Sequence, residues 1–132
     1  MTSNVVSKSR GGAQVWTVRA LRIILALAFL AAGGAKLASV PAMVQLFDTL
    51  GFGQWFRYLT GVVEVAGAVA LLIPSYAALG AVWLGTTMFF GTLAHLFILH
   101  TNPAPALVLL ALSAVIVTLE RGQVREFVAR LG

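Results

Sequence analysis

Three residues that could do chemistry stand inside stretches that are otherwise apolar: Lys36, Glu64 and His95. Glu64 is the only charged residue in YLTGVVEVAGAVALLI, residues 58–73. An ionisable group at membrane depth is costly, faces the interior of a helix bundle and has a partner. Lys36 closes the first apolar run and is the expected partner, and His95, near the end of the third run, is expected nearby. Three kinds of chemistry are open to such a set. It can be an ion pair that only fixes helix register, a polar pocket that binds a head group, or a proton relay through Glu64. A buried pair adds little net stability, but losing one member strands a charge.

Other chemistries lack their residues. Glu64 has no second acid at its level, so paired-carboxylate catalysis is absent. His95 and His100 are about 500° apart around a helix and point in different directions. With no further ligands at hand, neither a zinc site nor a haem is expected, and the metal set is empty. The chain has no cysteine, hence no disulfide, thiolate site or dithiol relay. No glycine-rich phosphate loop or nucleophile elbow occurs. Any cofactor, a quinone or a lipid, has to come from outside the chain, and the sequence leaves open whether the protein is an enzyme.

The composition says where these residues work. The 132 residues are 60% hydrophobic and 10% charged, against roughly 25% charged in soluble domains, and the mean hydropathy is +0.96. The net charge of +5 does not point to nucleic acid. Lys8, Arg10, Arg19 and Arg22 precede the first apolar run, and Arg121, Arg125 and Arg130 follow the last. Such flanking charge marks cytoplasmic ends of membrane spans.

The predicted fold is all-α, a four-helix integral membrane bundle forming one domain over residues 1–132. Residues 1–14 read as a loosely ordered tail, and spans are expected at 16–38, 58–73, 76–99 and 104–119. The uncharged stretch Ile23–Ala35 covers about 20 Å at helical rise, less than a hydrocarbon core of about 30 Å. Arg22 and Lys36 must therefore snorkel, or one of them faces protein. A short apolar core behind basic residues also fits a cleaved signal peptide, with Gly33-Gly34-Ala35 as its small-residue site. Within residues 41–50, Pro41 suits a helix start and Gly51 a left-handed cap. Met43, Val44, Phe47 and Leu50 share one face, which predicts a short interfacial helix over the bundle. Trp55 and Tyr58 are expected as anchors at that level. Gly61, Glu64, Ala68 and Leu71 recur at helical spacing, which sets Glu64 on a small-residue, protein-facing side. Residues 123–131 read as a short amphipathic tail.

Four spans place both termini on one side, and the basic ends make that side cytoplasmic. Helical rise then sets Lys36 about 3 Å, Glu64 about 9 Å and His95 about 6 Å below the opposite surface. All three fall in the outer third of the bundle.

RIILALAFLAAGGAKL (residues 22–37), VQLFDTLGFGQWFRYLTGVVEVAGAVALLIP (residues 44–74) and the alanine/glycine-rich third span together resemble the DoxX and DoxX-like family, over about residues 19–120. The marks are Gly34-Ala35-Lys36 at the end of the first span and Gly61-Val62-Val63-Glu64 in the second. The resemblance implies a four-helix membrane protein. Some members are small subunits of thiosulfate:quinone oxidoreductases, others accompany redox or oxidative-stress enzymes, and most have no assigned reaction. It implies for this chain a redox-related membrane subunit in the cytoplasmic (inner) membrane. There Lys36, Glu64 and His95 would bind a quinone-like or lipid head group. A structural anchor or assembly factor, and a small proton-coupled transporter using Glu64, are the alternatives. Expected partners are the bilayer, other membrane or redox subunits, or further copies of the chain, and not nucleic acid.

Overall fold

The computed structural model describes residues 2–132, with side chains from residue 12 onward. Every regular element among the described residues is helical. Helix α1 (Thr2–Leu37) is followed by α2 (Pro41–Leu50) and α3 (Gln54–Leu72). A single 3-10 turn, Pro74–Tyr76, leads to α4 (Ala77–Ala94), which continues into a π-helical turn, His95–Leu99. Helices α5 (Ala104–Leu119) and α6 (Arg121–Leu131) complete the chain. The first helix thus begins upstream of Trp16, where the sequence placed the start of the span. No proline occurs between residues 2 and 37, so no missing N–H interrupts the helix at the first basic residues.

Three segments are long and apolar enough to cross a membrane: Gly12–Leu37, Gln54–Leu72 and Pro74–Leu99. The α5–α6 pair makes a fourth if taken as one span, although the two helices are bent by 73° at Glu120.

Helix α1 packs mainly on α3, α3 on α4 and α4 on α5, and α5 returns to touch α1. Leu25, Ala26 and Phe29 of α1 meet Ala68 and Leu71 of α3, Ala81 and Leu84 of α4, and Ile116 of α5, all fully buried. Small residues set the spacing, since glycine lets helix backbones approach closely where lipid supplies little drive for association. A Cβ on Gly33 would lie 2.9 Å from the Gly61 carbonyl oxygen and 3.2 Å from Glu64 Cβ. The α1–α3 crossing is therefore backbone against backbone at the level of Glu64.

Helix α2 starts at Pro41 and ends at Gly51, whose φ of 82° allows its N–H to reach the Phe47 carbonyl. Phe47 is buried, with its ring 5.8 Å from that of Phe56. Helix α2 touches α1, α3 and the 95–99 turn, so it lies across one end of the helix array.

The opposite end is closed by α6. The Gln123 side chain donates to the Pro74 carbonyl at 2.6 Å and accepts from the Ala78 N–H at 3.0 Å. It fills one orphan donor at the start of α4 and one carbonyl in the turn before it. Tyr76 and Phe127 stack loosely beside it, with centroids 6.2 Å apart. Gln123→Ala removes both hydrogen bonds, for about 1–2 kcal/mol. The expected outcome is α6 undocking, read as faster limited trypsin cleavage after Arg125 with little change in overall helix content.

Candidate functional site

Lys36 occupies the last turn of α1 and Glu64 the middle of α3, on the face that meets Gly33. Lys36 Nζ lies 2.7 Å from Glu64 Oε1, the one ion pair among the described residues. The lysine side chain is 13% exposed and the glutamate 2%. Lys36 Nζ, at that 2.7 Å, is the sole polar partner of the buried Glu64 Oε1 among the described residues. Lys36 Nζ also reaches the Ala32 carbonyl at 3.5 Å, a weak contact within its own helix. This arrangement neutralises two charges in one buried contact. No second carboxylate faces it.

Two arginines complete the α1–α3 contact: Arg22, for which the sequence left open snorkelling or a protein-facing position, and Arg57, which it read only as a flank of the second span. Arg57 is 3% exposed. Its Nη1 donates to the backbone carbonyl of Lys36 and its Nε to Gln54 Oε1 at 2.6 Å. Its guanidinium lies 4.3 Å from the Tyr58 ring centroid, and the Tyr58 hydroxyl meets Ser39 Oγ at 3.4 Å. Lys36 is thus held twice, through its ammonium by Glu64 and through its carbonyl by Arg57. At the other end of the same helix pair, Arg22 is 9% exposed and its Nε donates to the Leu71 carbonyl at 2.7 Å. Helix α3 ends at Leu72, so the Leu71 carbonyl has no helical donor of its own. Arg57, in the first turn of α3, thus caps the carbonyl end of α1, and Arg22, past the middle of α1, caps the carbonyl end of α3, where the helix dipole favours positive charge. Arg22 and Lys36 both face protein, which answers the short uncharged core of α1.

His95 is engaged elsewhere. Its Nδ1 meets Thr101 Oγ1 at 2.7 Å, and its backbone carbonyl accepts the Thr101 N–H at 3.0 Å. His100 between them adopts a φ of 52°, the left-handed conformation that turns the chain toward α5. His95 is a clasp on the 100–103 turn, with no hydrogen bond or ion pair to Lys36 or Glu64. The three residues share the end of the array that α2 covers, but side-chain contact joins only two of them. No cluster of His, Asp and Glu able to hold a metal occurs among the described residues.

A groove of about 320 Å³ opens between α3 and α4, lined by Val63, Leu79, Val82, Trp83, Thr86 and Thr87. Its few polar groups are occupied. The Trp83 indole donates to the Val63 carbonyl at 3.0 Å, and Thr86 and Thr87 donate to carbonyls of their own helix. Lys36, Glu64 and His95 are not among its walls.

Arg57 and Gln123 escaped the sequence reading because each recognises backbone carbonyls, which every residue has. The only available signal was a lone cation or amide beside a helix end.

The chain is 35% identical, over 81 residues, to the uncharacterized protein YdgD of Bacillus subtilis (strain 168). That match spans 58% of this chain and 71% of the relative. No solved structure matches. The pattern of the DoxX-like family matches residues 20–124, a stretch that holds the Lys36–Glu64 pair, Arg22, Arg57 and His95. With most of its length inside that match, the chain belongs to the DoxX-like family.

Proposed function

We propose that the protein is a membrane-embedded scaffold, an accessory subunit or assembly factor of a redox-related system. In this reading it crosses the inner membrane four times, with both termini in the cytoplasm. The observation that carries the scaffold role is the closed state of the Lys36–Glu64 pair. Glu64 is almost fully buried, with its Cβ at the Gly33 crossing, and arginine–carbonyl contacts brace the same helix pair at both ends. Such a unit holds a fixed shape in lipid, and its groove presents apolar side chains. The redox connection rests on the family resemblance alone.

A second reading is favoured by one atom. Glu64 Oε1 has Lys36 Nζ as its sole polar partner among the described residues, and a carboxylate oxygen can accept a second hydrogen bond. A hydroxyl from a quinol-like head group or a lipid could donate to it, with Lys36 beside it. In that case Glu64 would be a binding residue, and His95 would join only if the 100–103 turn opened.

Native mass spectrometry after gentle extraction separates the two. The scaffold reading expects no quinone or lipid whose retention depends on Glu64. A stoichiometric small molecule that is lost in Glu64→Gln, while the variant stays folded, overturns it in favour of the binding reading.

A further inference from the structure

Helix α6 has no place in either reading. It carries Arg121, Arg125, Glu126 and Arg130 within residues 121–131, far too much charge for a spanning helix. The 73° bend turns it nearly across the axis of α5. Its docking fixes which way it faces. Gln123 is tied to Pro74 and Ala78, and Phe127 lies beside Tyr76, so that edge of the helix is taken up by protein. At 100° per residue, Val124, Val128 and Leu131 form the adjoining apolar strip, with Arg121 and Arg125 along its far side. Val128 and Leu131 are 63% and 87% exposed. Arg121 and Arg125 are exposed as well, and no ion pair joins them to a carboxylate among the described residues.

We infer that α6 is an in-plane anchor that recognises anionic phospholipid at the membrane surface on its side of the molecule. Val124, Val128 and Leu131 enter the upper acyl region, and Arg121 and Arg125 reach the lipid phosphates beside them. An apolar strip edged by unpaired guanidiniums is complementary to that surface in both polarity and charge. Arginine also matches phosphate with paired N–H donors. A soluble acidic protein would satisfy the arginines but leave the apolar strip beside them without a hydrocarbon partner. The inference concerns the end of the molecule away from Lys36 and Glu64, and it holds whichever role that pair plays.

The test titrates the full-length protein in neutral detergent with phosphatidylglycerol and, separately, phosphatidylcholine, counting bound lipids by native mass spectrometry. Phosphatidylglycerol is expected to bind more tightly, and raised salt should narrow the difference. Each arginine near a charged surface contributes about fivefold. Arg121→Gln with Arg125→Gln should therefore cut the preference by roughly 25-fold, while thermal unfolding stays unchanged because neither side chain has a protein partner. Lys substitutions at the same two positions should keep most of the preference. Equal binding of the two lipids, or a preference that survives the double Gln variant, overturns the proposal. So does competition by free glycerol phosphate at concentrations equal to those of the lipid, because the acyl contact would then contribute nothing.

Discussion

Lys36→Met is expected to destabilise the protein by about 3–5 kcal/mol, the loss typical when a buried charge is left without its partner. Glu64 cannot escape the loss. It lies in the middle of α3 with its Cβ against the Gly33 crossing, and its side chain is 2% exposed. Glu64→Gln should cost distinctly less, because Lys36 occupies the last turn of α1 and can extend its ammonium to the surface. The pair is therefore asymmetric, with removal of the cation doing the greater damage. Lys36→Met combined with Glu64→Leu should recover most of the stability, since an apolar replacement of a buried pair is often neutral or better. Reversible unfolding of the four proteins in mixed micelles gives the cycle directly. Equal losses for the two single variants would mean that Glu64 has its own route to water, and the account of its burial would fail.

Gly33 and Gly34 are neighbours with opposite expected responses. Gly33→Ala places a methyl 2.9 Å from both the Gly61 carbonyl oxygen and Val65 Cγ2. Backbone cannot swing aside, so α1 and α3 must separate where Lys36 meets Glu64. Overpacking of this kind costs about 1–3 kcal/mol, and part of that should come from a weakened ion pair. Gly34→Ala meets nothing within 4 Å, and alanine is the better helix former by up to about 1 kcal/mol. It should be neutral or slightly stabilising. Thermal midpoints in one detergent suffice to compare them. A loss at Gly34 matching that at Gly33 would show that chain flexibility, not helix proximity, is what these glycines provide.

Much of the helical plan was legible because it rests on local signals. Pro41 and Gly51 bound α2 in the sequence, and they do so in the structure through a fixed φ and a left-handed cap. The Lys36–Glu64 contact was legible because one carboxylate in an apolar run has few places to find a cation. His95 shows where such reasoning stops. Its depth was judged from helical rise, but its direction depends on the π-helical turn and on Thr101, which rotate the ring toward the 100–103 loop. Arg22 read as a membrane flank because its partner is a carbonyl, and sequence does not distinguish one carbonyl from another. The bend before α6 was equally hidden, since it depends on where Gln123 finds Pro74 and Ala78.

The crossed arginine caps have a consequence for how such a chain can enter a bilayer. Alone in a bilayer, α1 would leave Arg22, and α3 would leave Glu64, without the partner each has here. Insertion scales charge about 2.5–3.5 kcal/mol for such a side chain at mid-bilayer. Side by side, each rod supplies what the other lacks: a counter-ion at one level and a donor for a bare carbonyl at each tip. The antiparallel α1–α3 hairpin, rather than either helix alone, is the smallest unit in which these charges and carbonyls are paired.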